Sequence, residues 1–136
     1  MKYIGTCHCQ AVRFEFNADL KEIIVCDCSL CSKRAARMLA VDKETLQIIA
    51  GRDALTEYRW NTRIARHYFC SKCGIYVFHQ RRSNPLVCGV NANCVDGLDL
   101  SSLPVRHVDG QSTSTVPRSE SKSPERPYRV NTRIAF

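Results

Sequence analysis

The sequence predicts an all-β domain with at most one short helix. Short runs of alternating apolar and polar residues, such as residues 11–16, are typical of half-buried strands. Turn-forming glycines recur between such runs. Only residues 29–37 favour a helix, of one or two turns, and Ser29 can cap it.

The strands follow one another closely along the chain. We predict them at residues 11–16, 21–25, 45–50, 55–60, 64–69, 75–79, 86–90 and 105–108. The glycines interpreted as turn or bulge residues between them are Gly5, Gly51, Gly74, Gly89 and Gly97. This spacing leaves room for no second helix.

Length and composition favour a single domain in a reducing compartment. The chain has 136 residues, nine of them cysteine. No stretch approaches the roughly 20 apolar residues that a membrane span needs. We therefore expect a cytoplasmic protein without membrane contact, in which clustered cysteines bind metal rather than form disulfides.

The formal charge of +7 gives a misleading impression of a basic domain. Residues 111–136 hold five Lys/Arg against two Asp/Glu, so +3 belongs to them. Seven metal-bound thiolates with two Zn²⁺ ions bring residues 1–110 close to +1. We expect nucleic acid to be an unlikely partner, because its recognition needs a concentrated basic face.

The composition divides the chain into a domain at 1–110 and a tail at 111–136. The tail is basic and rich in Ser and Pro, and it lacks the apolar periodicity of a core. It ends in a near copy of residues 58–65, at residues 128–135. The copy is either a terminal segment without a role or a strand that adds to a sheet edge, in cis or in a homodimer.

Two close cysteine pairs predict a structural zinc site. Cys7 and Cys9 form one pair, and Cys70 and Cys73 form the other, about sixty residues away. Each pair supplies two corners of a tetrahedron with little loss of entropy. Gly74 fits the tight turn after the second pair. Such a site ties the first strands to the middle of the domain.

A second group places three cysteines within six residues, namely Cys26, Cys28 and Cys31. Three ligands with one vacancy are typical of a catalytic or labile zinc. A closed site with a fourth ligand from Cys88, Cys94 or a histidine fits the spacing equally well. His67 and His79 lie on predicted strands beside the second pair, where each faces either a pocket or solvent.

Several motifs follow one another along the chain: Gly5-Thr6-Cys7-His8-Cys9 with Val12-Arg13-Phe14, then Cys26-Asp27-Cys28-Ser29-Leu30-Cys31, then Phe69-Cys70-Ser71-Lys72-Cys73-Gly74, then Gly89-Val90-Asn91. In this order, they resemble the glutathione-dependent formaldehyde-activating family, to which centromere protein V is related. The resemblance covers residues 3–110. It differs at Gln10, where relatives commonly have glycine, and at Cys88, where they often have an aromatic residue.

The resemblance implies a fold and a function. The fold is a β-tent of short antiparallel sheets, and the function is a carbon–sulfur lyase acting on an adduct of formaldehyde with glutathione. It implies one structural zinc at the two pairs and a labile or catalytic zinc at Cys26, Cys28 and Cys31. Glutathione carries two carboxylates, and one or two of four nearby arginines could bind them, namely Arg63, Arg66, Arg81 and Arg82. From these we select Arg63 and Arg66 as candidates. Asn91 is the third candidate, from the Gly-Val-Asn segment.

Two alternatives to the enzyme remain open. One is a non-catalytic zinc-binding module that contacts another macromolecule through its tail and sheet edges. The other is a buffer of metal or thiol, in which the three clustered cysteines exchange metal without turning over an adduct.

Overall fold

The computed structural model describes residues 1–60 and 62–110. The tail at 111–136, with its copy of residues 58–65, lies outside the described residues. The elements, in chain order, are β1 (Lys2–Thr6), β2 (Arg13–Asn17), β3 (Ile23–Cys26), α1 (Ser29–Lys33), β4 (Met38–Asp42), β5 (Gln47–Ala50), β6 (Leu55–Tyr58), β7 (Arg66–Cys70), β8 (Tyr76–Gln80), β9 (Val87–Asn91) and β10 (Val105–Val108). The all-β prediction with at most one short helix is confirmed.

The strands form two sheets. One has the order β1-β2-β5, and the other has the order β10-β3-β4-β9-β8-β7-β6. Neighbours are antiparallel except β3 and β10, which run parallel. This pair departs from the antiparallel expectation because most of the domain lies between its two strands, which is the long crossover that parallel pairing requires.

Eight of the ten strands overlap the predicted ones, and β1 and β4 were not predicted. In β1 the single buried position is Gly5, so apolar alternation gives no signal. The prediction that Gly5 and Gly89 are turn or bulge residues is wrong. Both lie inside strands, where they face other side chains at close range.

The helix is shorter than predicted, and its cap is a different residue. It ends at Lys33 instead of residue 37, because Ala35 adopts a left-handed conformation with φ of 50° and the chain turns into β4. Cys28 takes the capping position predicted for Ser29. Its sulfur accepts the backbone N–H of Cys31, as a serine hydroxyl does in other helices.

The buried side chains form two clusters, and each contains part of one cysteine group. The larger cluster lies around Phe14, Phe16 and Leu39, and it includes Cys7 and Cys70. The smaller cluster joins Cys31 to a few buried residues, which are Ile24, Ala36, Met38 and Tyr76. The two cysteine groups therefore occupy different parts of the fold. Among the described residues, no helix has the length and apolar character to cross a membrane.

Candidate metal centres and the cavity beside them

Four cysteines that are distant in sequence meet in one place, which we call the four-cysteine site: Cys7, Cys9, Cys70 and Cys73. Their sulfur atoms all lie within 4.8 Å of one another. Cys7 Sγ is 3.6 Å from Cys9 Sγ, which is 3.7 Å from Cys70 Sγ. A tetrahedral zinc with sulfur ligands at about 2.3 Å requires sulfur separations of about 3.8 Å. The sulfur positions therefore fit a four-coordinate zinc ion.

Tight turns aim backbone N–H groups at these sulfurs. The N–H of Val12 lies 3.3 Å from Cys7 Sγ. Gly74, with φ of +76°, closes the second turn by donating to the carbonyl of Cys70 at 2.7 Å. Burial opposes ionisation of Cys73, but backbone N–H groups of Cys9 and Ile75 lower the pKa of its thiol to about 6.

The four-cysteine site extends from the core to the surface. Cys70 is fully buried and Cys7 is 2% exposed, whereas Cys73 is half-buried and Cys9 is exposed. Four thiol ligands fill a tetrahedral zinc completely, so this arrangement is that of a structural site.

The other cysteine group consists of Cys26, Cys28 and Cys31, which we call the cysteine triplet. Cys26 ends β3, Cys28 caps α1, and Cys31 lies within that helix. Their sulfurs lie within 4.8 Å of one another, and no fourth His, Cys, Asp or Glu from residues 1–60 or 62–110 joins the group. The backbone N–H of Cys28 lies 3.5 Å from Cys26 Sγ. The donor set fits a zinc with three protein ligands.

The two other cysteines considered as fourth ligands lie elsewhere. Cys88 is buried in β9. Cys94 is also buried, and its thiol lies 3.7 Å from the carbonyl oxygen of Tyr76. Burial raises the pKa of the Cys94 thiol to about 12. Both therefore behave as buried apolar residues, as their strand context indicates.

The triplet thiols do not ionise equally. A hydrogen bond from the Cys31 thiol lowers the pKa of Cys28 to about 5, although burial opposes this shift. The same hydrogen bond, together with burial, raises the pKa of Cys31. Arg34 Nη2 lies 3.8 Å from Cys31 Sγ. Without metal, the triplet is a thiolate supported by a neighbouring thiol, next to a guanidinium group.

The triplet opens into a cavity of about 340 Å³. Two buried histidines and three arginines supply further polar groups to its lining, namely His67, His79, Arg81, Arg82 and Arg106. Among the described residues no Asp or Glu lines this cavity. The cavity therefore brings the three thiols of the triplet together with three positively charged guanidinium groups.

The histidines are held by hydrogen bonds. The His67 and His79 rings stack, with centroids 5.0 Å apart. Arg34 Nη1 lies 3.1 Å from His67 Nδ1, and the Tyr76 hydroxyl lies 2.6 Å from His79 Nδ1. Burial lowers the pKa of His67 to about 3 and that of His79 to about 2. Both rings are therefore neutral near pH 7.

The sequence did not decide between pocket and solvent for these histidines, although a signal was present. His67 and His79 are direct cross-strand partners in the β7–β8 hairpin. Pairing the two predicted strands around the Cys70–Cys73 turn would have placed them side by side on one face.

The two arginines predicted to bind glutathione lie outside the cavity lining. Arg66 is exposed on β7, and Arg63 lies in a turn with φ of 60°. The nearby residues that do line the cavity are Thr62 and Ala65. A binding role for Arg63 and Arg66 stays a prediction. The other two candidates, Arg81 and Arg82, follow β8 and do line the cavity, together with Arg106 of β10.

Asn91 lies at the end of β9, where its side chain bonds to the protein. Its Nδ2 donates to the carbonyl of Tyr76 at 2.8 Å, and its Oδ1 accepts the N–H of Asn93 at 3.1 Å. These bonds stabilise the start of a short 3-10 helix. Contact between Asn91 and a ligand stays a prediction.

Comparison with known proteins agrees with this geometry. The family model described as glutathione-dependent formaldehyde-activating enzyme matches residues 2–108. A crystal structure of a Rhodobacter sphaeroides protein is 40% identical to this chain and aligns with a TM-score of 0.66. The alignment covers 78% of this chain and 100% of that protein.

Proposed function

Since the chain belongs to the family of glutathione-dependent formaldehyde-activating enzymes, we propose that it is a zinc-dependent carbon–sulfur lyase. Its substrate is the adduct of a thiol with an aldehyde, with glutathione as the thiol and formaldehyde as the aldehyde. The observation that carries this proposal is that the cysteine triplet lines a cavity of about 340 Å³. This volume lies at the lower end of the range for small-molecule sites.

We assign different roles to the two cysteine groups. The four-cysteine site has a full set of four ligands, two of them buried in the core, so a metal held there would stabilise the fold. The triplet provides three ligands and leaves one coordination position for a substrate. A zinc ion bound there lowers the pKa of a substrate thiol and so stabilises the thiolate that adds to an aldehyde or leaves from the adduct.

The arginines of the cavity fit a thiol substrate that carries carboxylate groups. Arg81, Arg82 and Arg106 line the cavity that also holds the triplet. Arg106 Nε donates to Glu22 at 2.9 Å, which fixes the direction of its guanidinium group. Arginine binds carboxylates through paired hydrogen bonds, and glutathione has two carboxylates. We propose that these arginines hold the carboxylates while the thiol reaches the triplet.

Exchange NMR tests this function. The full chain, loaded with zinc, is mixed with glutathione and ¹³C-formaldehyde, and the exchange of label between free aldehyde and adduct is measured at equilibrium. We expect the protein to accelerate exchange and Cys28→Ser to abolish the acceleration while the fold persists. Cys88→Ala, which changes a buried cysteine outside both groups, serves as the control and retains activity. Exchange no faster than without protein contradicts the proposal.

Exchange NMR, together with counting of bound zinc during a titration with glutathione, separates the alternatives. A non-catalytic zinc-binding module gives no acceleration and holds two equally inert zinc ions. A metal or thiol buffer exchanges zinc at the triplet but turns over no adduct. We further propose a cytoplasmic location, supported by nine cysteines that are all free thiols. The homodimer stays a prediction, since the tail that motivates it lies outside the described residues.

A further inference from the structure

The stacked histidines on the cavity wall have no part in the function proposed so far. His67 is 7% exposed and His79 is 8% exposed, and both line the cavity that the triplet shares. Neither belongs to a group of potential metal ligands in the described part of the chain. Their hydrogen bonds determine what each ring offers to a bound molecule.

The protein fixes the tautomer of His67 through Arg34. The guanidinium group has only donors, so His67 Nδ1 must accept the bond of 3.1 Å from Arg34 Nη1. Burial and the charge of Arg34 keep the ring neutral by lowering its pKa. The single ring proton of His67 therefore lies on Nε2.

The protein fixes the opposite tautomer of His79 through Tyr76. The Tyr76 hydroxyl lies 3.0 Å from the carbonyl oxygen of Gly89 and 2.6 Å from His79 Nδ1. It has one proton, and a carbonyl oxygen can only accept. Both bonds form only when the hydroxyl donates to Gly89 and accepts from His79 Nδ1–H. The Nε2 atom of His79 therefore carries a lone pair.

Neither Nε2 atom has a hydrogen-bond partner among the described residues. Arg34 Nε is the buried side-chain N or O atom of those residues that lacks a partner, so neither Nε2 atom is closed off from a ligand. Both side chains line the cavity that the triplet shares, and His67 also lines a second, smaller cavity of about 180 Å³.

We propose that this pair binds the adduct hydroxyl in the shared cavity, with His79 Nε2 accepting its hydrogen bond and His67 Nε2–H donating to its oxygen. This inference rests on the proposed function. The adduct hydroxyl is both a donor and an acceptor, which matches one acceptor and one donor side by side on stacked rings. His67 and His79 are thereby catalytic residues, and Arg34 and Tyr76 are positioning residues.

The step balances without a further reagent. In cleavage, the hydroxyl proton passes to solvent, a carbon–oxygen double bond forms, and the electron pair of the carbon–sulfur bond leaves with the sulfur as a thiolate. His79 stays neutral and orients the hydroxyl, and the N–H of His67 stays bonded to the oxygen as it becomes the carbonyl oxygen. In the reverse direction, the thiolate attacks the carbonyl carbon, and the oxygen takes a proton from solvent.

Two readouts test this inference on the full chain. The first is the ¹⁵N spectrum of the histidines, which distinguishes Nδ1–H from Nε2–H rings without any turnover. We expect His67 to be protonated on Nε2 and His79 on Nδ1. Tyr76→Phe should shift His79 toward a mixture of tautomers. Identical tautomers in the two rings would overturn the inference.

The second readout is exchange NMR of the variants. We expect His79→Gln to lower kcat at least about 100-fold and His67→Gln to lower it about 10-fold or more. Zinc content and the KM for glutathione should stay unchanged. His107→Gln is the control, because His107 is exposed on β10 and does not line the cavity.

The outcomes separate the two proposals. An inactive wild type refutes the proposed function and this inference with it. An active wild type with an equally active His79→Gln variant refutes the inference alone. A kcat that falls only in proportion to lost zinc also overturns it. If His79→Gln does not fold, Tyr76→Phe decides: we expect lower kcat with unchanged KM, and unchanged kcat contradicts the inference.

Discussion

Replacing Gly89 by alanine adds a single methyl group next to the His79 ring and so tests where that ring lies. Gly89 in β9 is the direct cross-strand partner of His79 in β8. A Cβ atom at Gly89 would lie 2.2 Å from His79 Cε1 and 2.8 Å from His79 Nδ1. Carbon atoms in ordinary contact are about 3.5–4.0 Å apart, so the ring must move by at least about 1.3 Å. That movement breaks its bond to Tyr76.

The expected effect on activity exceeds the effect on stability. Overpacking a buried site costs about 1–3 kcal/mol of unfolding free energy, which a folded domain can tolerate. Moving a catalytic group by about 1 Å lowers the rate about 100-fold. The cysteine triplet lies on β3 and α1, away from Gly89, so zinc content should not change.

The assay combines exchange NMR with urea unfolding and zinc analysis. Gly97→Ala is the matched control: Gly97 has φ of +66° and open space where a Cβ would lie. The control costs about 1 kcal/mol through backbone strain, but it leaves His79 in place. A Gly89→Ala variant that keeps the kcat of the control would refute the proposed role of His79.

Four further predictions concern stability and metal content. Burial lowers the pKa values of His67 to about 3 and of His79 to about 2, so the unfolded chain binds more protons below about pH 6.5. Urea unfolding should therefore show a loss of about 1.4 kcal/mol per histidine between pH 7.5 and pH 5.5. Cys70→Ser should unfold the domain by circular dichroism, because a structural zinc contributes about 10–16 kcal/mol. Cys28→Ser should leave it folded with one zinc ion fewer by native mass spectrometry. Gln10→Gly should raise the unfolding free energy by about 1 kcal/mol, because Gln10 has φ of 65°.

Control variants or contradicting outcomes test these predictions. The double variant with His67→Gln and His79→Gln should lose less unfolding free energy between pH 7.5 and pH 5.5, because it lacks both histidines. An unchanged pH dependence would contradict the assignment. Gln47→Gly changes the same residue type in β5 and should destabilise the domain. Gln10→Gly that also destabilises would show that residue 10 is not left-handed. A folded Cys70→Ser variant with full metal would refute the four-cysteine site.

The sequence predicted the two cysteine groups well because closely spaced cysteines encode their geometry locally. Cys70 and Cys73 must lie on one turn, whatever the fold, and so must Cys7 and Cys9. Most strands were equally predictable from alternation. In β1 the signal fails because its single buried residue, Gly5, faces another strand without a side chain of its own.

The cavity wall was harder to predict because it depends on strand pairing. Arg106 lines the cavity because β10 pairs in parallel with β3, and no local sequence pattern predicts that pairing. Arg63 and Arg66 lie near the same region in sequence, but the turn and the alternation of β7 place them outside the lining. The histidine pair needs the register of the β7–β8 hairpin as well as its existence.

Counting zinc by native mass spectrometry, during a titration with glutathione, tests the central claim most directly. The claim is that one ion is enclosed by four cysteines and that another is held by three beside a cavity. We expect two zinc ions per chain, of which glutathione removes one while circular dichroism stays unchanged. A single zinc ion, or two that leave together as the domain unfolds, would contradict this account.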